Sequence, residues 1–417
     1  MTRLAIFLFF LTASYQLHAE RYLVFLSHKS PENPIGISAL SKAKKERKNI
    51  CLNEKDQIVD QCFLQLLSAK GCKVLGSSRW LNAILVQTEP TNINELRKLP
   101  FVLHILELKT FPTSCLKQEE EILGDVLLNS ETQLRMLDID RLHLAGYTGK
   151  GICIAVFDNG FTKVDELYPY QKLFEENRII DSKNFVEPNK SVYDMGSDGD
   201  HGSRVLSVMA AVQAPNFIGA AYDASFVLAV TEDMTKEGSL EEWNWLMAAE
   251  WADSIGADII SSSLGYATQF TYGDKPVYAD MDGKTMLISK AANLAASKGI
   301  LVVNSAGNEG ALPWRHIVAP ADADSCLSVG SVDEWGNYSI FSSMGPTADG
   351  RIKPNVAAMG QLTITLLPQG YLKTGNGTSF ACPLIAGLAA CLWQSDSTLN
   401  NMNLFQLIQN SGSMALK

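Results

Sequence analysis

The sequence predicts an α/β protein: a doubly wound, mostly parallel sheet flanked by helices, preceded by a small α+β module of ferredoxin-like order. Three observations carry this. Five short runs, GICIAVFD, SFVLAVTED, ADIISSSLG, GILVVNSAGN and SCLSVGSVD, are apolar almost throughout and end in glycine or polar residues. Helical patterns, EEWNWLMAAEWADSIG and TMLISKAANLAASKG, alternate with them. Strands without in–out alternation belong in a parallel sheet covered on both faces. Ahead of them, the stretch 21–109 reads strand, helix, strand, strand, helix, strand, which is the order of a small ferredoxin-like unit.

Taken in order, MTRLAIFLFFLTASYQLHAE holds one arginine, an apolar run from Leu4 to Ala13 and a polar stretch ending at Ala19. That is the layout of a cleaved signal peptide, too short to span a bilayer comfortably. No other segment approaches spanning length, so the expectation is a secreted or periplasmic protein without a membrane span once residues 1–19 are removed. In the next module, residues 20–118, RYLVFLSH, CKVLGSS, WLNAILVQT and FVLHILEL read as strands. DQCFLQLLSAKG and INELRKLP read as helices, and SKAKKERKN as a basic, solvated helix or loop. KQEEEILGDV is a charged linker. The main domain, 119–417, opens with the helical SETQLRMLDIDRLHLAG and ends in a short tail, NLFQLIQNSGSMALK, read as a last helix.

Composition narrows the function classes. With 46% hydrophobic and 19% charged residues the chain can bury large cores. Its 35 basic and 45 acidic groups disfavour nucleic acid as partner, since phosphate binding needs basic patches. Eight cysteines occur, none in CxxC or Cys/His spacing that would hold zinc. Cys153, Cys326, Cys382 and Cys391 lie in apolar runs and read as buried thiols. Any disulfide belongs among Cys51, Cys62, Cys72 and Cys115.

In wound sheets, sites form beyond the carboxyl ends of the strands. That rule selects Asp158, Ser263 and Asn308. Asp158 ends a buried strand in AVFDNG, where Asp-Asn-Gly is otherwise an ordinary turn. His201, in GDHGSRV, opens a helix and alone among the three histidines beyond the linker is flanked by small residues. A helix start disfavours the imidazolium and favours a proton-accepting ring. Ser379, in GNGTSFACP, begins an apolar helix; a Thr-Ser pair is by default a cap, but the glycines upstream leave room for a ligand. Asn308, in SAGNEG, could donate its side-chain amide to a developing oxyanion.

Together these four motifs resemble the subtilisin-like serine peptidases, over residues 130–394 and in the chain order Asp, His, Ser. The resemblance implies that Asp158 orients the imidazole of His201, which acts as general base and then acid. Ser379 would be the nucleophile, with Asn308 and the Ser379 N–H as oxyanion donors. It implies that Ser263, Leu264 and Gly265 are the edge that pairs with an extended substrate, and that the first module is a propeptide acting as foldase and intramolecular inhibitor. Protein or peptide substrates follow, and the chemistry needs no cofactor. Whether structural calcium is held, for which the turn SDGD before His201 is a candidate, stays open. Asn159 and Ser203 depart from the usual Asp-Ser/Thr-Gly and His-Gly-Thr. An α/β-hydrolase is disfavoured by the chain order and by Ala381 where its elbow needs glycine. A catalytically weak or inactive peptide-binding relative is the alternative reading.

Overall fold

The computed structural model describes residues 19–112, 128–267 and 275–413; the signal-peptide expectation and Cys115 lie outside them. The chain forms two units. The first comprises the described residues up to Asn33 together with Val59–Ser77 and Leu81–Leu108. Its sheet runs in the order Lys73–Ser78, Ala83–Thr88, Glu20–Leu26, Val102–Leu108. Glu20–Leu26 is antiparallel to both neighbours. This is the expected ferredoxin-like arrangement. The helix Gln61–Ala69 covers the sheet through Phe63 and Leu67, with Phe63 stacked on Phe101 at 4.6 Å.

The second unit contains Pro34–Ile58, Ser78–Trp80 and Lys109–Lys417. At its centre is a seven-stranded sheet, ordered Val356–Met359, Cys326–Val332, Leu301–Ser305, Ile259–Ser262, Cys153–Asp158, Ser225–Val230, Ile179–Asn184. Every neighbouring pair is parallel. The five expected strands are all present. The two added strands are the edges, one polar and half-exposed and one only four residues long. Chain order reverses between Cys153–Asp158 and Ile259–Ser262, which makes their carboxyl ends the switch point where wound sheets place a crevice.

One face of the sheet buries Ile154, Val156, Leu228, Val303 and Val329 against the helices Asp200–Ala210 and Thr378–Ser395. The other receives Ser239–Ile255, whose Trp245 meets Phe157 edge-on at 5.4 Å and bonds Ser262 Oγ through its indole N–H at 3.0 Å. Thr378–Ser395 is long and apolar enough to cross a membrane, but 83% of it is buried inside the unit, so it is a core helix. The helical stretch expected near residue 130 is two helices, Glu131–Arg135 and Ile139–Leu144, broken where Asp138 turns left-handed at φ 54°.

The basic run SKAKKERKN is helical, Ala39–Arg47, and solvated along Lys42, Glu46 and Arg47 as expected, but its other face is buried. Lys45 is buried and pairs with Asp253 at 2.5 Å, while Lys44 and Lys48 share Asp258 at 2.6 and 3.1 Å. Burial alone would raise the Asp258 carboxyl, but Lys48 and Lys44 outweigh it and hold it below its ordinary value. Arg79 adds a second cation to Asp253 at 2.7 Å, and Lys298 pairs with Asp56 at 2.8 Å. Removing one member of such a buried pair strands the other and costs about 3–5 kcal/mol. Among the described residues all seven cysteines are free; Cys153, Cys326, Cys382 and Cys391 are buried as expected, and Cys51 and Cys62 are exposed.

Candidate active site

Asp158 ends a strand whose six residues are all buried and is itself fully enclosed. His201 is the second residue of the helix Asp200–Ala210, and its Nδ1 lies 2.7 Å from Asp158 Oδ1. That approach depends on Gly202, where a β-carbon would come within 2.8 Å of the Asp158 Cβ. Asn159 accepts from the Gly202 N–H at 3.2 Å, and Ser203 donates its hydroxyl to the Thr162 carbonyl at 2.9 Å. Both departures from the usual motif therefore brace the loop around the pair.

Burial pulls the imidazole of His201 down, but the carboxylate of Asp158 outweighs it, and the net shift is above the ordinary histidine value. The helix start therefore does not set the protonation state, as the sequence suggested; a full charge at hydrogen-bond distance exceeds the helix's partial charge. Glu232 lies in the field of both residues, its carboxyl raised by burial to about 7. A base must be neutral to act, so peptide hydrolysis is expected to rise with pH through an apparent pKa above 6.5, the ordinary histidine value. Asp158→Asn should shift that limb toward acid, and Glu232→Gln should remove the neighbouring carboxyl that titrates at about 7. The pH profile of kcat/KM reads both; a native limb at or below the ordinary value contradicts the assignment.

Ser379 is the second residue of the helix Thr378–Ser395. Its hydroxyl donates to the Ser263 carbonyl at 3.3 Å, and the Ser263 hydroxyl donates to the Ser379 carbonyl at 2.8 Å. Pro383 explains the second bond. It lies inside the helix, lacks an N–H and so leaves the carbonyl four residues back without its helical donor. Ser263 takes that place, tying the serine helix to the strand end. Phe380 stands beside the His201 ring, centroids 5.9 Å apart, and the Arg204 guanidinium covers its ring at 4.8 Å. Burial lowers Arg204 to about 10. Among the described residues no hydrogen bond joins His201 to Ser379; such bonds commonly tighten only with substrate present.

Asn308 faces the same point. Its Oδ1 accepts from the Thr378 N–H at 2.9 Å and the Thr378 hydroxyl at 3.0 Å, which orients the amide nitrogen outward. Gly377, at φ +153°, keeps the gap open: a β-carbon there would lie 3.6 Å from Asn308 Nδ2 and 3.8 Å from Ser379 Cβ. Gly375 does something else. A side chain there would strike Phe380 and Arg204, so this glycine makes room for packing and not for a ligand.

Ser263, Leu264 and Gly265 follow the strand Ile259–Ser262 directly. Asn304, which the sequence did not single out, donates its amide to the Leu264 carbonyl at 2.9 Å and fixes this edge. A second edge also escaped sequence analysis. Lys236–Gly238 pairs antiparallel with Thr110–Pro112. It follows closely on Val230, which lies in register with Asp158. Three residues carry too little periodicity to be read as a strand. Among the described residues no group of three or more His, Cys, Asp or Glu is placed to hold a metal ion.

Residues 149–414 match the subtilase family of S8 peptidases. The chain belongs to the subtilase family. Residues 21–121 match the S8 propeptide domain described for Bacteroidota. Subtilisin NAT of Bacillus subtilis subsp. natto is 28% identical over 351 residues, covering 84% of this chain and 80% of that one. Subtilisin of Bacillus pumilus is 30% identical over 275 residues, 65% of this chain and 87% of its own. Among solved structures, MycP1 from Mycobacterium smegmatis superposes with a TM-score of 0.55 at 19% identity, covering 71% of this chain and 82% of its own, a likeness of fold. This subtilase is a serine-type peptidase made as a precursor with a propeptide domain.

Proposed function

We propose that this subtilase is a secreted serine endopeptidase that hydrolyses peptide bonds through an acyl-enzyme on Ser379. Residues 1–19 are lost on export, 20–118 form the propeptide and intramolecular inhibitor, and 119–417 the peptidase. What supports the reading is the Asp158–His201 pair, 2.7 Å apart at the end of a sheet strand, with Phe380 at the start of the serine helix 5.9 Å from the His201 ring.

A serine hydroxyl is a weak nucleophile until a base takes its proton during attack. His201 Nε2 takes that proton as Ser379 Oγ bonds to the scissile carbonyl carbon. Asp158, on the ring's other nitrogen, stabilises the imidazolium. The negative charge passes to the carbonyl oxygen, which the Asn308 amide and the Ser379 N–H receive; the helix start adds favourable partial charge. The C–N bond then breaks, and the amine leaves with the proton from His201. Water repeats the sequence from the other side, regenerating the hydroxyl. Ser263, Leu264 and Gly265 hold the peptide extended by backbone pairing.

The test is hydrolysis of an unfolded protein by the mature form, before and after one equivalent of a fluorophosphonate. Internal cleavage that stops on treatment is expected. A folded protein that binds peptides, cleaves none and ignores the reagent would instead be the peptide-binding relative.

A further inference from the structure

We propose that Pro34–Ile58 is a latch: a part of the propeptide that grips the peptidase domain at the sheet end opposite Ser379 and keeps the propeptide bound after the linker is cut. The inference deepens the reading of residues 20–118 as an intramolecular inhibitor and rests on it. The segment stands between the first strand and the first helix of the ferredoxin-like order, yet it belongs to the second unit.

What it covers is the ends of two helices. Ser239–Ile255 and Leu287–Ser297 carry no basic residue in their last turns, where carbonyls without helical donors gather negative partial charge. The latch supplies donors and cations to both. The Ser38 N–H and the Ser41 hydroxyl donate to the carbonyls of Ser254 and Asp253, at 2.8 and 2.6 Å. The Lys44 ammonium donates to the Gly256 carbonyl at 2.7 Å, and the Lys45 ammonium to that of Lys298 at 3.0 Å. Gly256 and Gly299 permit this approach. A β-carbon would lie 3.2 Å from the Ser41 Cα at the first and 2.1 Å from the Ile50 Cδ1 at the second.

The same lysines meet carboxylates. Lys45 and Arg79 face Asp253, Lys44 and Lys48 face Asp258, and in the reverse sense Asp56 faces Lys298. Every one of these pairs joins a propeptide residue to a peptidase residue. Asp253, Asp258 and Lys298 are buried in the intact chain, so loosening the segment takes charges from their partners inside the protein.

The latch is remote from the chemistry. Asp258 precedes the strand Ile259–Ser262 and accepts from the Cys153 N–H at 3.0 Å, where the strand that ends in Asp158 begins. Along that strand, at about 3.3 Å per residue, the catalytic edge is about 16 Å away. Cleavage near residue 118 breaks none of these bonds. It also spares the pairing of Thr110–Pro112 with Lys236–Gly238, so the propeptide keeps two separate attachments. Two linked attachments let go far more slowly than either alone. Release of the latch, and not cleavage, then sets when the peptidase becomes free.

The test uses the full chain with Ser379→Ala, which does not cut itself, and a site for a sequence-specific protease placed in the linker KQEEEILGDV. After nicking and dilution, gel filtration reads how long the two pieces stay together. With the latch intact they should co-migrate. Lys45→Met should shorten the half-time by about 30-fold or more, the effect of stranding one member of a buried pair. Lys42→Gln, on the exposed side of the same helix, should leave it unchanged. If Lys45→Met does not fold, Lys48→Gln carries the test, because Lys44 still faces Asp258. Loss of that one charge-assisted bond should shorten the half-time by about 10-fold. Pieces that separate at once with the latch intact, half-times unmoved by the Lys45 or Lys48 change, or an equal loss in Lys42→Gln overturn the proposal. In the chain that keeps Ser379, the Lys45 and Lys48 changes should shorten the delay between linker cleavage and full activity by the same factors. The freed peptidase no longer contains them and should keep its native kcat/KM. Shortened half-times in a protein that neither labels with a fluorophosphonate nor cleaves peptides would leave the latch standing and overturn the peptidase reading.

Discussion

Ser379→Ala is expected to abolish peptide hydrolysis, with a loss on the order of 10⁶-fold, the size known for the same deletion in a subtilisin. The loss should be chemical and not structural. The bond that ties the serine helix to the strand end runs from the Ser263 hydroxyl to the backbone carbonyl of residue 379, so alanine preserves it. Only the weaker contact, from the Ser379 hydroxyl to the Ser263 carbonyl at 3.3 Å, disappears. The variant should unfold at the native temperature, bind peptides and stay full length in pure solution. Unaided release of the first module by this variant would show that the site does not process its own chain.

Asn308→Ala is expected to lower kcat by about 100- to 1000-fold with KM nearly unchanged, the range known for removing the corresponding donor in a subtilisin. The amide acts only when charge develops on the carbonyl oxygen, so its effect belongs to the transition state. Alanine also removes the acceptor of two Thr378 bonds. Asn308→Asp separates the two roles, because it keeps an acceptor for Thr378 and replaces the donor with an anion. It should be at least as slow as the alanine variant while retaining native stability. A raised KM with unchanged kcat in either variant would assign Asn308 to ground-state binding.

The parts of the site legible in the sequence are those set by local chemistry. Asp158, Ser263 and Asn308 stand at the ends of strands buried on both faces, and such strands announce themselves as unbroken apolar runs. His201 and Ser379 stand at helix starts flanked by small residues. What escaped depends on partners far along the chain. Lys45 reads as solvated in a run of basic residues because Asp253, 208 positions on, is what neutralises it. Pro383 reads as an ordinary early-helix proline until the Ser263 hydroxyl is found on the carbonyl it leaves without a helical donor. Arg204, which the sequence did not single out, is buried over Phe380. The raised basicity of His201 likewise follows from a carboxylate 43 residues earlier and not from the helix it opens.

The most direct test of the central claim is to digest the fluorophosphonate-treated protein and read which peptide carries the adduct. The account predicts one equivalent, on Ser379, formed faster as pH rises through the His201 limb and lost in His201→Ala. An adduct on another residue, or full hydrolysis by a protein whose Ser379 peptide stays unmodified, would contradict it.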